Sequence, residues 1–188
     1  WDTALAKSNA LRAGLVRSIL GETAHALGFG CASLLWDMSK FYDRVGIKRM
    51  CSWAVDLGYP PRLLAMGLLM HMGARVLRKG PHSSNPITPT CGILAGCSMA
   101  QAFSRIVLYE ALDGVHRAYP TQRTKQYIDD LVMRAEGLAR EVTSVLVAAA
   151  TYLAGKATEA GCVINQLKTA ITANTSKLAR DIARRLAK

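Results

Sequence analysis

The 188-residue chain is long enough for one domain with a sizeable hydrophobic core. Hydrophobic residues make up 51% of the sequence, which excludes a disordered tail, and we find neither a membrane-spanning segment nor a signal peptide. The 24 lysine and arginine residues outnumber the 13 acidic residues and give a net charge of +11, which suits a polyanionic partner.

The first predicted elements are a helix from about Thr3 to Leu27 and a strand over the apolar run Cys31–Trp36. Asp37 follows this strand directly. A buried carboxylate is costly unless it is paired or bound to a metal, so Asp37 is a candidate metal ligand. Aspartate is also a good N-cap, and the alternative is that Asp37 caps the next helix.

The next segment is predicted to contain two helices and a hairpin. The helices cover about Gly46–Leu57 and Arg62–His71, and two consecutive prolines separate them. A strand near Ala74–Arg78 then leads into a hairpin loop over Lys79–Pro89, which contains three prolines and two serines.

Two glycines, Gly92 and Gly96, flank a short turn at which a backbone can approach a ligand closely. Ser98 and Gln101 are predicted to form a capping box at the start of a strongly apolar helix. A helix N-terminus beside a glycine turn favours phosphate binding. The alternative is an ordinary junction between a loop and a helix.

Two adjacent acids, Asp129 and Asp130, lie between short apolar segments that predict a β-hairpin with the acids at its tip. Carboxylate oxygens are ligands that Mg²⁺ prefers, and enzymes that use two ions for phosphoryl transfer hold them about 3.5–4 Å apart. Asp-Asp is also common in polar hairpin turns, and taken alone the motif favours such a turn.

The last third of the chain is predicted to contain a long helix, a short β segment and a second helix. The alanine-rich helix covers Leu138–Ala160 and ends at a glycine. A strand pair follows around Val163–Thr172, with Asn165 and Lys168 at a turn. The lysine there reaches a phosphate or is simply solvated. Lys177–Lys188 is predicted to be a basic amphipathic helix that packs on the rest of the domain.

The five cysteines and four histidines form no metal-binding pattern. The cysteines are odd in number and contain no CxxC pair, so most are predicted to be small core residues in a reducing compartment. The histidines are scattered along the sequence, and we assign them no role.

Four of these segments occur in an order that resembles the palm of a reverse transcriptase. They are Asp37-x4-Tyr42, Gly92-x3-Gly96, Tyr127-Ile-Asp129-Asp130 and Gly161-x3-Asn165-x2-Lys168-Thr169, which resemble motifs A, B, C and D of that family. The first and last are most similar to the non-LTR retrotransposon and group II intron branch. The resemblance covers roughly Leu34 to Thr169.

The resemblance implies a site for two Mg²⁺ ions, which Mn²⁺ can replace. Its ligands would be Asp37, Asp129 and Asp130, with Asp130 the less direct partner. Lys168 would be a catalytic residue that donates a proton to pyrophosphate. Catalysis would consist mainly of positioning and charge neutralisation.

Four further positions are implied to bind the incoming nucleotide: Met38, Tyr42, Ala95 and Gly96. The carbonyl of Met38 would complete one metal site, and the ring of Tyr42 would clash with a 2′-hydroxyl and so select deoxynucleotides. Gly96 would let the nucleotide or the templating pair approach the backbone. Ala95 stands where the family usually has glutamine, a departure that leaves open a loss of activity.

The implied fold class is α+β, a palm-type antiparallel sheet backed by helices, with partial fingers and no complete thumb. Residues 1–30 would be a lead-in helix from the fingers, 31–172 the palm and 173–188 a basic C-terminal helix. The expected function is RNA-directed DNA polymerisation, in which dNTPs are added to a DNA primer on an RNA template. The chain is expected to belong to a longer intracellular polyprotein, nuclear in a eukaryote, without membrane partners.

Two other functions remain open. One is a catalytically inactive, nucleic-acid-binding remnant of a retroelement, which the net charge and Ala95 favour. Basic residues are predicted to lie around Asp37, where template or primer phosphates would pass: Arg12, Arg17, Arg44, Lys48 and Arg49. The other is a structural α+β domain whose acids are only caps and turns, which predicts that Asp37 lies far from Asp129.

Overall fold

The computed structural model of the chain describes residues 10–127 and 130–187. In chain order its elements are α1 (Ala10–Ala26), β1 (Gly30–Trp36), α2 (Phe41–Arg44), α3 (Ile47–Asp56), α4 (Pro61–Met72), β2 (Arg78–Lys79), β3 (His82–Ser83), α5 (Ser98–Ala118), β4 (Arg123–Tyr127), β5 (Asp130–Gly137), α6 (Ala139–Glu159), β6 (Ala170–Ala173) and α7 (Ser176–Leu186).

Four strands form an antiparallel sheet in the order β4-β5-β1-β6. β1 and β5 are the two central strands, and their register runs from Gly30 opposite Gly137 to Trp36 opposite Leu131. The short strands β2 and β3 form a separate hairpin. β4 and β5 are neighbours both in the sheet and along the chain, and their register runs from Arg123 opposite Arg134 to Tyr127 opposite Asp130.

One face of the sheet packs against helices, as the alternation of side chains in a strand requires. On β1 and β5, Leu34, Trp36, Leu131 and Met133 are buried, and they belong to one core cluster with buried residues of α5, α6 and α7. The other face of β4 carries exposed residues. We call this second face the outer face, and α1 lies against part of it.

The fold class predicted from the sequence, an α+β domain with an antiparallel sheet and helices, is confirmed. The helices α3, α4, α6 and α7 begin and end within a few residues of their predicted bounds. Of the first predicted helix, residues 3–9 lie outside the described residues. The assignments to palm, fingers and thumb, and the boundaries at residues 30 and 172, stay predictions.

Two predicted β segments are wrong in detail. In place of a strand over Ala74–Arg78, the structure has a single bridge between Arg75 and Ile87, because Val76 and Leu77 are exposed and no sheet covers them. In place of a strand pair over Val163–Thr172, it has one bridge at Ile164 and the single strand β6, because a turn occupies the residues between them.

The predicted capping box at Ser98 and Gln101 is also wrong. Ser98 is the first residue of α5, and the N-cap is Cys97.

All five cysteines, which lie in the described ranges, are free thiols; Cys31 and Cys162 are buried and only Cys91 is exposed. Within the part of the chain that the structure describes, no helix combines the length and hydrophobicity needed to cross a bilayer.

Candidate active site at the end of the central strands

Two carboxylates lie at the same end of β1 and β5. The last paired residues of these strands are Trp36 and Leu131; Asp37 comes directly after Trp36 and Asp130 directly before Leu131, so the same register continued by one position would place them opposite each other. Opposite residues of antiparallel strands have Cα atoms about 4.5–5.5 Å apart. Trp36 and Leu131 are buried on the helical side, so the next residue of each strand lies on the outer face.

These two carboxylates supply the donor type that Mg²⁺ prefers, oxygen from aspartate. The predicted third ligand, Asp129, lies outside the described residues. Among residues 10–127 and 130–187, no group of three or more His, Cys, Asp or Glu side chains forms a potential metal site. The described pair therefore fits part of a magnesium site, and the complete three-carboxylate site stays a prediction.

Asp37 does not cap the helix that follows it. That helix, α2, begins at Phe41, and its N-cap is Lys40. Lys40 has a φ of 50° and a ψ of 45°, the left-handed conformation that a residue with a side chain rarely adopts. The capping alternative is therefore wrong, because the chain turns through Lys40 before the helix starts.

The segment after α6 is hydrogen-bonded to the residues around Asp37. The Asn165 N–H donates to the Asp37 carbonyl over 2.8 Å, and the Ser39 N–H donates to the Val163 carbonyl over 2.7 Å. The Asp37 N–H in turn donates to Oγ1 of Thr169 over 3.4 Å. The segments that resemble motifs A and D are therefore held together by backbone pairing.

Lys168 lies in the turn that this pairing brings next to Asp37. The N–H groups of Lys168 and Thr169 donate to the Asn165 carbonyl over 3.2 and 2.9 Å, so the predicted turn is confirmed. Lys168 is exposed. Its role as a proton donor stays a prediction.

The glycine segment is hydrogen-bonded to the backbone of α2 and of its C-cap residue, which follow Asp37 in the chain. The Gly92 N–H donates to the Val45 carbonyl and the Ile93 N–H donates to the Tyr42 carbonyl, each over 2.8 Å. Beyond Ile93 the chain makes a turn that ends at Cys97. The glycine segment therefore contacts the stretch that follows Asp37, as the segment after α6 contacts Asp37 itself.

We expect Gly92→Ala to destabilise the fold by about 2 to 4 kcal/mol and Gly96→Ala by about 1 to 2 kcal/mol. Both glycines have a left-handed φ, 87° for Gly92 and 81° for Gly96. A Cβ on Gly92 would also lie only 3.2 and 3.3 Å from the backbone oxygens of Asp43 and Tyr42, whereas a Cβ on Gly96 meets no described atom within 4 Å. Urea unfolding of both variants tests this order, and equal losses would contradict it.

The other implied nucleotide-binding residues surround the same turn. Met38 is buried and forms a bridge with Ile164. Tyr42 is half-buried in α2, with its ring edge-on to Phe41 at 5.5 Å between centroids. Ala95 and Gly96 are exposed at the tip of the glycine turn. Exposure at this tip is what contact with a bound nucleotide would need.

His71, to which we assigned no role from the sequence, contacts the glycine segment. It is fully buried on α4, and its Nδ1 accepts a hydrogen bond from the Leu94 N–H over 2.8 Å. The sequence feature that could have indicated its burial is its spacing from Leu64 and Gly67, the other buried residues of α4. The three residues follow the i, i+3, i+7 pattern of a packed helix face.

The free energy of unfolding should decrease as the pH falls below about 6.5. Burial lowers the pKa of His71 from its ordinary value of 6.5, and the positive charge of Arg75 lowers it further. The unfolded chain then takes up a proton that the folded chain does not, until the pH reaches the lowered pKa. Urea titrations at several pH values should show a smaller decrease in His71→Asn, while the exposed-site control His82→Asn should match the wild type.

A groove of about 440 Å³ lies between α1 and the outer face of β4 and β5, beside Asp130. Four basic residues line it, namely Arg17, Arg123, Lys125 and Arg134. The exposed basic residues of β4, Arg123 and Lys125, alternate with buried polar ones, so the sequence shows no apolar alternation that would have identified them. Arg134 pairs with Glu136 at 3.0 Å, so part of this positive charge is already neutralised.

Of the basic residues predicted around Asp37, Arg17 lines this groove. Arg49 instead donates to the Glu159 carbonyl over 2.6 Å and lies 5.7 Å from the ring centroid of Trp53. Its guanidinium therefore joins α3 to the end of α6. This contact leaves Arg49 a poorer candidate for phosphate binding than Arg17.

Neither the models of known protein families nor the curated proteins give a match to this chain. A solved structure, that of an apo telomerase from Candida tropicalis truncated from its C-terminal domain, is similar with a TM-score of 0.61 and 12% sequence identity. The similarity covers 88% of this chain and 35% of the telomerase chain. At this identity the likeness shows the fold alone, and it supports a coarse reverse-transcriptase-like fold for the chain.

Proposed function

We propose that this domain is the catalytic palm of an RNA-directed DNA polymerase that adds deoxynucleotides to a primer 3′-hydroxyl. The observation that carries the proposal is the convergence of segments distant in sequence around the end of β1. Asp37 follows β1 and Asp130 begins the neighbouring β5, and backbone hydrogen bonds join the Lys168 turn to Asp37 and the glycine segment to Tyr42. If the acids were only caps and turn residues, the fold would not require these segments to lie together.

In this proposal Asp37, Asp130 and the neighbouring Asp129 would hold magnesium. When bound, the ions would activate the primer hydroxyl and neutralise the charge of the phosphates. The side chain of Tyr42 would bound the space for the sugar, and the exposed Ala95–Gly96 backbone would face the nucleotide. Lys168 would donate a proton to the leaving pyrophosphate. The assignment to the non-LTR retrotransposon or group II intron branch is part of this proposal.

The test is extension of a labelled DNA primer on an RNA template. It should use the purified chain and, in parallel, any longer natural protein that contains it, because the chain spans only 35% of the similar telomerase chain. We expect extension with Mg²⁺ or Mn²⁺, its loss with a chelator, and its loss in Asp129→Asn. Extension that does not change in Asp129→Asn, or that needs no divalent metal, would overturn the proposal.

An inactive nucleic-acid-binding remnant is the second candidate, and the +11 charge and the basic groove beside Asp130 favour it. This function predicts RNA binding that weakens steeply with salt, without extension or magnesium binding. Replacing both Arg123 and Lys125 by Ser should reduce the slope of log affinity against log salt by about 1.5 if both residues contact phosphate. A measurable turnover number would exclude this candidate.

A further inference from the structure

We propose that His71 is a positioning residue, which holds the turn Leu94–Cys97 in the conformation that nucleotide binding requires. The inference rests on the proposed function, since it names a determinant of nucleotide affinity at the same site. It concerns a residue that lies in the core and contacts only the buried side of the turn.

One side of the turn Leu94–Cys97 is exposed, and the chain that enters the turn is hydrogen-bonded to the rest of the protein. The Cys97 N–H donates to the Leu94 carbonyl over 3.2 Å, and Gly96 at the third position has the positive φ that a type II turn requires. Ala95 and Gly96 are exposed, while Ile93 and Leu94 before them are hydrogen-bonded inward. The orientation of the exposed pair therefore depends on those two inward bonds.

His71 makes the second of these bonds. Its Nδ1 accepts the Leu94 N–H over 2.8 Å, so Nδ1 carries no proton and the proton of the neutral ring is on Nε2. Protonation of the ring would place a proton on Nδ1 and break the bond. Arg75, on the same segment, disfavours that protonation through its charge, and its guanidinium also donates to the His71 carbonyl over 2.7 Å.

The ring of His71 is itself held in place by α5. It packs against Phe103 with 5.2 Å between centroids and an interplanar angle of 60°. Phe103 also contacts Gly67, one turn before His71, so closely that a Cβ at this glycine would lie 2.5 Å from the Phe103 ring. Because Phe103 packs against both the imidazole and the preceding turn of α4, the imidazole has little freedom to turn toward α5 and away from Leu94.

A histidine is not the residue that stability alone would favour at this position. Its Nε2 is buried and has no hydrogen-bond partner among the residues that the structure describes. An unpartnered buried donor costs free energy, which a leucine of similar size would avoid. Within the described ranges, the one hydrogen bond that the imidazole ring makes is the bond to Leu94, so its contribution is the placement of that amide.

The experiment compares His71→Leu, which removes the acceptor, with His71→Asn, whose amide oxygen can take the place of Nδ1. Primer extension should give a KM for dNTP about tenfold higher in His71→Leu, with kcat within about twofold of the wild type. His71→Asn should restore most of the affinity. His71→Met serves as a second apolar variant should His71→Leu fail to fold. An unchanged KM in a folded apolar variant, or no recovery in His71→Asn, would overturn the proposal.

Amide hydrogen exchange separates this proposal from the proposed function, because it needs no turnover. The Leu94 amide should exchange slowly in the wild type and in His71→Asn, and at least about tenfold faster in His71→Leu. The Ile93 amide, which is bonded to Tyr42, is the internal control and should stay protected in all three. A Leu94 amide that is equally protected in the apolar variant would overturn the anchoring itself. Protection as expected in a chain that neither extends a primer nor binds dNTP with Mg²⁺ would contradict the nucleotide role and the proposed function together.

Discussion

Replacing Asp37 by Asn is expected to reduce primer extension by a factor of about 1,000 or more. In the proposed function its carboxylate holds both magnesium ions, and loss of that contact removes about 4 kcal/mol of transition-state stabilisation. The effect should appear in kcat, because the metals act on the reacting groups. Asp37 directly follows β1, whose position is set by pairing on both sides, so the amide variant should keep the fold.

Steady-state extension at fixed Mg²⁺ measures this effect, with unfolding curves to confirm that the variant is folded. Asp56→Asn is a matched control, because Asp56 is an exposed acid at the end of α3, and its variant should retain wild-type rates. Asp130→Asn should lose activity less severely than Asp37→Asn, since Asp130 is the less direct ligand in the proposed site. A rate for Asp37→Asn within tenfold of the wild type would remove the metal role from this residue.

Replacing Tyr42 by Val is expected to decrease the preference for dNTP over rNTP about 100-fold, which corresponds to about 2.7 kcal/mol. In the proposed site the ring excludes the 2′-hydroxyl by contact, and a shorter side chain leaves room for it. The backbone should stay in place, because the Tyr42 carbonyl accepts from the Ile93 N–H independently of the side chain. Incorporation of dNTP itself should change little.

The measurement is the ratio of kcat/KM values for dNTP and rNTP on the same primer and template. Tyr42→Phe is the control, since it keeps the ring and removes only the hydroxyl, and it should preserve the ratio. If Tyr42→Val discriminates as well as the wild type, the ring does not limit the sugar pocket, and another residue near Ala95–Gly96 must do so.

The two predictions differ in how far the sequence alone could support them. Asp37 could be identified because it directly follows an apolar run of strand length, and the structure has that strand. The pairing of its strand with β5 could not be known, because register between strands about a hundred residues apart is decided by side-chain packing on the buried face. The position of Tyr42 depends on Lys40, which has a left-handed backbone conformation. Glycine is the residue that usually adopts this conformation, so a lysine gives no sign of it in the sequence.

His71 is a second residue whose contact could not be recognised from the sequence. A single buried histidine on an apolar helix looks like a core residue, and the partner that gives it a role is a backbone N–H, which every residue but proline has. The basic residues of β4 were missed because strand alternation has to be combined with knowledge of which face is covered. Both features depend on contacts between elements.

The sequence by itself determined the elements and their chemistry: the apolar strand before Asp37, the glycine pair, the adjacent acids, the helices and the basic net charge. These follow from local periodicity and residue type, which act over one or two turns of chain. The tertiary structure decided that the segments around Asp37, Gly92 and Lys168 are hydrogen-bonded together, and that His71 accepts a hydrogen bond from Leu94 in the glycine segment. The physical reason is that backbone pairing and close packing of the core act between residues distant in sequence, and no local pattern records them.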